Sequence, residues 1–256
     1  MAKVNFTKMQ GLGNDFIVLE GPLELSSQTI AALCDRHNGI GADGLLIVSR
    51  ASNAVRMQYW NADGSVAEMC GNGLRCVARF AVVQGLTQPG NFTVQTAAGD
   101  LQAIWDGNSD DVEVQVGKVE VDKQPITIQK LDFHTAQVGN PHAITFLDDV
   151  DTAPVTTTGP LVETDPYFPN KTNVEFAQII DENTIKLRIW ERGVGETLAC
   201  GTGMVSTAVV AERLGKVSFP VTLQVPGGQA TAWVDDQDYV RLKGAAETVY
   251  TGEIQL

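Results

Sequence analysis

Two stretches of the chain place a cysteine in the same setting. Trp60 to Cys76 reads WNADGSVAEMCGNGLRC, and Trp190 to Thr207 reads WERGVGETLACGTGMVST. In each, nine residues separate a Trp from a Cys-Gly-x-Gly turn, and the two cysteines, Cys70 and Cys200, stand 130 residues apart. A helical pattern follows each turn. The first turn of a helix has unpaired N–H donors and a partial positive charge. Such a site holds an anion such as a carboxylate. It also favours thiolate, drawing a cysteine down from its usual pKa of about 8.5 toward neutrality. Two thiols on matched turns suit removal of a proton from one face of a carbon and return of a proton to the other. One must then be thiolate and the other thiol, titrating as a coupled unit. The reaction class is racemisation or epimerisation alpha to a carboxylate, with the developing charge stabilised by preorganised N–H groups.

The elements that must position these turns are mostly strands. Short runs rich in β-branched and aromatic residues recur between Gly, Asn, Asp and Pro: VNFTKM, DFIVLE, GLLIVS, VRMQYW, FTVQTA, VEVQV, ITIQKL, AITFL, VEFAQII, IKLRIW, VTLQV, YVRLKG and TGEIQL. Each reads as a strand. Helical patterns are few: Ser26–His37, with Ile30, Leu33 and Cys34 on one face, and Leu74–Val83 and Met204–Leu214 after the two turns. The duplication is wider than the turns. Gly13-Asn14 is matched by Gly139-Asn140 at an offset of 126, and TVQTAAGDLQAIW by TLQVPGGQATAW, with Gly99 against Gly228 at an offset of 129. Three ordered matches at nearly constant offset predict two homologous halves. The expected fold is α+β with two pseudo-symmetric domains, each a strand-rich curved sheet or barrel around a central helix. The expected boundaries are 1–117 plus 246–256 for the first domain, because the last strand returns to it, and 118–245 for the second.

Bulk properties narrow the function. Of 256 residues, 18 are basic and 31 acidic, a net charge of −13. That argues against nucleic acid and an anionic membrane surface as partners and leaves a small molecule. No apolar run reaches the ~20 residues of a membrane span, and MAKVNFTKMQGLG lacks a signal-peptide core, so the cytoplasm is expected. Four cysteines do not make a disulfide framework in a chain this long. No Walker loop is present, GLGNDF and GADGLL are not dinucleotide fingerprints, and neither turn carries a lysine for a pyridoxal Schiff base. A zinc site from Cys70, Cys76 and Cys200 has no C-x2-C pair behind it. No cofactor and no metal are expected.

The residues KMQGLGNDF (8–16), NADGSVAEMCGNGLR (61–75), GNPH (139–142), the Asn of KTNVEF (171–176) and ERGVGETLACGTG (191–203) together resemble the diaminopimelate epimerases, a resemblance that runs the length of the chain. It implies a cofactor-independent enzyme of two similar domains, commonly a homodimer, that interconverts LL- and meso-2,6-diaminopimelate for lysine and cell-wall synthesis. It implies that Cys70 and Cys200 are the acid/base pair and that His142 and Glu191 lie near the thiols. Substrate contacts fall on Asn14, Asn61, Asn140, Asn173, Glu191 and Arg192, and the reacting carboxylate on Gly71-Asn72 and Gly201-Thr202. One position departs from the pattern: many members carry a Gln where this chain has Gly44. The chain is also slightly short, which suggests trimmed loops near 106–112 and 120–132.

Each residue has a plainer reading. Free cysteine is most often a packing residue; the duplicated turn argues otherwise for Cys70 and Cys200, whereas Cys34 and Cys76 read as core. Asn is commonest in turns, although neutral amides suit a zwitterion because they donate to carboxylate and accept from ammonium. Arg192 is either a solvated charge or a bidentate clamp on a distal carboxylate. The acidic run Asp106–Asp111 reads as a solvated hairpin loop. Within the same fold, a racemase of another amino acid such as histidine is the alternative substrate reading.

Overall fold

The computed structural model describes residues 3–67 and 69–256. Among these, four helices and nineteen strands form two compact units, 1–114 with 244–256 and 115–243.

The first unit runs β1 (Lys3–Gly11), β2 (Asn14–Glu20), α1 (Ser27–Cys34), β3 (Gly44–Ala51), β4 (Ala54–Asn61), β5 (Val66–Ala67), α2 (Gly71–Val83), β6 (Gly90–Thr96) and β7 (Gly99–Trp105), and its boundary falls within β8 (Asp111–Gly117). The second runs β9 (Glu120–Val121), β10 (Ile126–Ile128), β11 (Leu131–Gln137), β12 (Pro141–Phe146), α3 (Val155–Glu163), β13 (Asn173–Asp181), β14 (Thr184–Glu191), β15 (Gly195–Thr197), α4 (Gly201–Arg213), β16 (Val221–Val225), β17 (Gly228–Val234) and β18 (Val240–Ala245). The chain then returns to the first unit as β19 (Glu247–Gln255), antiparallel to β1 from Lys3↔Gln255 to Gln10↔Glu247.

Strand pairing repeats in the two units. β1 and β2 form an antiparallel hairpin, β2 lies parallel to β3 across α1, β3 is antiparallel to β4, and β4 is parallel to β6 across α2. In the second unit β11–β12, β12–β13, β13–β14 and β14–β16 repeat that antiparallel, parallel, antiparallel, parallel order, with α3 and α4 as the crossovers. Parallel neighbours require a long crossover, and in both units the second crossover is the helix behind the cysteine. The fold is α+β, with each sheet curved about its own central helix. α2 is buried on every face from Gly71 to Ala81 apart from half-exposed Arg79, and α4 from Gly201 to Ala211. A helix apolar all round must be wrapped rather than laid on a surface. Phe6, Ile17, Leu19, Ile30, Leu45 and Ile47 pack one core, and Phe133, Ala143, Val162, Val174 and Phe176 the other.

Three local expectations need correction. ITIQKL is not one strand: Gln129 and Lys130 both take positive φ, 52° and 66°, and form the two-residue turn between Ile128 and Leu131, a geometry suited to hairpins because its twist matches that of the strands. The helices behind the cysteines begin three residues earlier than Leu74 and Met204, because the Gly-x-Gly of each turn is itself helical. The helix expected over Ser26–His37 stops at Cys34, capped at its start by the Ser26 hydroxyl, which accepts from the Thr29 N–H at 3.1 Å.

Candidate active site

Each cysteine is the N-cap of its unit's central helix. Cys70 (φ −144°, ψ 122°) and Cys200 (φ −128°, ψ 112°) are extended residues whose carbonyls take the first helical bonds, from the Leu74 N–H at 2.8 Å and the Met204 N–H at 2.9 Å. The sulfurs therefore stand where the helix leaves its N–H groups unpaired.

In the first unit the Cys70 thiol donates to Asn14 Oδ1 at 3.5 Å, and Asn72 Nδ2 donates to the same oxygen at 3.4 Å. Asn14 in turn donates to Asp43 Oδ2 at 2.8 Å. Beneath them lies Arg75, fully buried, giving Nη2 to Asn72 Oδ1 at 2.9 Å and Nε to the Ala245 carbonyl at 3.2 Å. Asp15 is gripped by Arg36 (2.7 and 3.1 Å) and Lys8 (2.7 Å), and Arg36 also reaches Asp43 at 2.8 Å. Burial alone would raise the Asp15 carboxyl, but these cations hold it far below the usual carboxylate range. Asn61 sits apart from this cluster's hydrogen bonds, in the 61–65 turn, donating to Ser65 Oγ at 3.0 Å. It is nonetheless opposite Gly44 in the β3–β4 register, next to Asp43. Gly44 has a packing cause: a Cβ there would lie 2.6 Å from the Trp60 carbonyl oxygen and 2.7 Å from the Tyr59 ring.

In the second unit a chain of polar groups leads inward from Cys200. Its sulfur is 3.4 Å from Thr202 Oγ1, which accepts from Asn140 Nδ2 at 3.3 Å. Asn140 Oδ1 is 3.0 Å from His142 Nε2, and His142 Nδ1 is 2.7 Å from Glu175 Oε1. His142 and Glu175 are wholly buried. Asn173 opposes His142 in the parallel β12–β13 register, donates to the Pro141 carbonyl at 3.1 Å and accepts the Arg192 N–H at 2.9 Å. The loop after Glu191 is held again from behind, where Glu163 accepts from the Gly193 N–H (3.0 Å), Trp190 Nε1 (2.7 Å) and Lys171 (3.1 Å). The Arg192 side chain is exposed and reaches the Asn170 carbonyl at 3.3 Å.

The two arrangements correspond. Asn14 and Asn140 are joined in each unit to the second residue after the cysteine, Asn72 or Thr202. They differ in the ionisable group buried beneath: Arg75 in one unit and, in the other, Glu175, whose carboxyl burial pushes up against the opposing effect of His142. The expectation that a helix end brings the thiol toward neutrality fails for Cys200. Burial, with the negative charges of Glu191 and Glu175, pushes this thiol well above its ordinary value, and hydrogen bonds from Thr202 and the Gly203 N–H only partly oppose them. Cys34 and Cys76 are buried in the core, and burial pushes them up to about 11 and about 12. Glu175 and Arg75 are the residues sequence reasoning passed over. Both stood inside quoted motifs, Glu175 two residues after Asn173 and Arg75 one helical turn after Gly71. Among the described residues, no three His, Cys, Asp or Glu side chains converge as metal ligands.

The family profile of diaminopimelate epimerase matches residues 6–121 and 134–256. The chain is similar to the diaminopimelate epimerase of Methanococcus maripaludis, 38% identical over 277 positions covering 99% of this chain and 100% of that protein. It is also similar to that of Halothermothrix orenii, 39% identical over 279 positions covering 98% of each. Among solved structures it resembles a PhzF-family phenazine biosynthesis protein of Bacillus anthracis (TM-score 0.79, 16% identity, 100% of both chains). A hydroxyproline epimerase of Agrobacterium vitis also superposes (TM-score 0.74, 14% identity, 98% and 92%). At these identities the structural likenesses establish the fold alone.

Proposed function

The chain belongs to the diaminopimelate epimerase family, and from that premise we propose that it interconverts LL- and meso-2,6-diaminopimelate by two-thiol acid/base chemistry without a cofactor. The observation that carries the reading is the pair of cysteines at equivalent helix N-caps, each bonded into an asparagine-bearing network of the same design.

One thiol, as thiolate, takes the α-proton, so that the C–H bond breaks and an S–H bond forms. The other thiol gives its proton to the opposite face, the electron pair of the carbanion forming the new C–H bond. Cys70 and Cys200 have these roles. The N–H groups of Gly71-Asn72 and Gly201-Thr202 face the reacting carboxylate and stabilise the charge it gains. Asn14, Asn61, Asn140 and Asn173 bind the zwitterionic end. Arg192, with its backbone braced by Asn173 and its guanidinium exposed beside the Asn170 carbonyl, clamps the distal carboxylate. Glu191 and His142 lie beside the acid/base steps: Glu191 acts on Cys200 through its charge, and His142 acts through Asn140 and Thr202. The substrate is a small amino acid in the cytoplasm, and no helix among the described residues is long and apolar enough to cross a membrane. We read the enzyme as a homodimer, supported by the exposed apolar side chains of Val249 and Tyr250 on β19; light scattering should give twice the 27.5 kDa chain mass.

The test is incubation of pure protein in D2O with LL-diaminopimelate and, separately, with lysine, histidine and other L-amino acids. Deuterium should enter the α-carbon of diaminopimelate. Efficient exchange into histidine or lysine instead would overturn the substrate and keep the chemistry.

A further inference from the structure

The chain from Cys200 to Glu175 ends on a carboxylate oxygen, Glu175 Oε2, that is buried and has no hydrogen-bond partner. Its other oxygen is held by His142, and the helix behind Cys200 is pressed against it: a Cβ on Gly203 would lie 2.4 Å from Glu175 Oε1. A carboxylate sealed this tightly costs free energy unless its charge is put to use or neutralised.

As placed, Asn140 Nδ2 donates to Thr202 and Asn140 Oδ1 faces His142 Nε2; a turn of the amide, whose O and N occupy equivalent places, gives the opposite polarity. In the turned form, the Cys200 S–H donates to Thr202, the Thr202 O–H to Asn140 Oδ1, the Asn140 N–H to His142 Nε2, and His142 Nδ1–H to an anionic Glu175. In the other, every arrow reverses. Thr202 O–H donates to a Cys200 thiolate, Asn140 N–H to Thr202, and His142 Nε2–H to Asn140 Oδ1, with a further proton shared between Nδ1 and Glu175. Both hold the same number of protons. One of these sits on Cys200 in the first and on the His142–Glu175 pair in the second.

We propose that Glu175 is a positioning residue which, through His142, sets the polarity of this chain and holds Cys200 in its proton-donating form. In the resting unit so proposed the thiol keeps its proton because His142 Nδ1–H holds Glu175 anionic against the burial that raises its carboxyl. The proton Cys200 gives up goes to the substrate carbon, and the S–H electron pair stays on sulfur. The other ionisable group acting on this thiol is Glu191 at the end of β14. Of the strands against α4, β16 and β17 carry no ionisable residue, β11 carries Asp132 and His134, β13 carries Asp181 besides Glu175, and β14 carries Lys186 and Arg188 besides Glu191. The upward displacement of the Cys200 thiol by burial, Glu191 and Glu175 agrees with this arrangement. The role in catalysis rests on the epimerase reading; the coupling itself does not, and it is tested without substrate.

The first measurement is the rate of Cys200 alkylation by iodoacetamide against pH, followed on its own peptide by mass spectrometry. Normalising each profile to its plateau removes the effect of access. In Glu175→Gln, which keeps shape and an acceptor but no charge, the Cys200 profile should move to lower pH by about one unit, roughly a tenfold change in thiolate fraction below the midpoint. The Cys70 profile should keep its wild-type form. An unchanged Cys200 profile in the folded variant overturns the proposal. The second measurement needs no variant: nitrogen-15 spectra of His142 near neutral pH should show Nδ1 protonated and Nε2 bare. A protonated Nε2 beside a Cys200 thiol overturns it as well. Failure of either leaves the epimerase assignment standing, and loss of epimerase activity leaves both readouts intact.

Discussion

At the scale of single residues, the proposed chemistry rests on two sulfurs that the chain treats differently. Cys70→Ala or Cys200→Ala should abolish epimerisation while thermal unfolding stays close to wild type; near-normal turnover in either would remove that thiol from the mechanism. Serine at either position should leave traces only, since a hydroxyl ionises far less readily than a thiol near neutral pH. Arg192 is exposed without substrate, so its contribution appears on binding. Arg192→Met should weaken diaminopimelate by about 2–5 kcal/mol, the scale of a charged hydrogen-bonded pair once desolvated, and lysine should remain a poor substrate. A variant with unchanged KM would assign the distal carboxylate elsewhere. The matched placement of the two cysteines at helix N-caps was legible because their turn is written twice. Glu175 was not, because a carboxylate inside NVEFAQII reads as the solvent side of a strand. Its burial depends on His142, which lies 33 residues earlier in the chain and next to it only through the parallel β12–β13 pairing.

At the scale of elements, the two Gly-x-Gly segments look alike and are held for different reasons. The third residue of each is helical, so the glycine is a matter of space. At Gly203 a Cβ would strike Glu175 Oε1 at 2.4 Å, whereas at Gly73 the nearest atoms are 3.5 Å away. Gly203→Ala should therefore cost about 1–3 kcal/mol, as overpacking does, and lower the unfolding temperature. Gly73→Ala should be neutral or gain up to about 1 kcal/mol from reduced chain entropy. Equal effects of the two substitutions on unfolding temperature would contradict this reading of α4 against β13. Most strands were legible from their β-branched runs. Helix α3 was not: VTTTGPLVE is rich in Thr and Val and contains Gly159 and Pro160, all unfavourable to helices. Tertiary packing decides it, since Gly159 lets Trp190 close against the helix, where a Cβ would lie 2.7 Å from the indole.

At the scale of the whole molecule, the repeat in the sequence is a repeat of pairing order, antiparallel and parallel strands alternating identically in both units. The near-constant offset made this legible. The turn of ITIQKL was hidden, because positive φ at Gln129 and Lys130 has no signal in residue type. Global stability should show the Lys8–Asp15–Arg36 network through acid. Its cations hold the folded Asp15 carboxyl below its unfolded value of about 3.9. The network's contribution is thus complete above that range and lost as pH falls below it. Asp15→Asn should be less stable than wild type at neutral pH, with the gap closing as pH drops through about 4 in urea unfolding. A gap that holds constant to acid would contradict that origin.

The central claim is that two thiols, one from each homologous half, exchange the α-proton on opposite faces. Its most direct test is the early isotope distribution in D2O, starting from LL-diaminopimelate and stopped at a small fraction of turnover. Each thiol carries a single exchangeable hydrogen. The account therefore predicts deuterium at the inverted centre of the meso product and none in the recovered LL substrate. Deuterium appearing in recovered substrate as fast as in product, or product formed with its original hydrogen retained, would mean that one base serves both faces and would contradict the account.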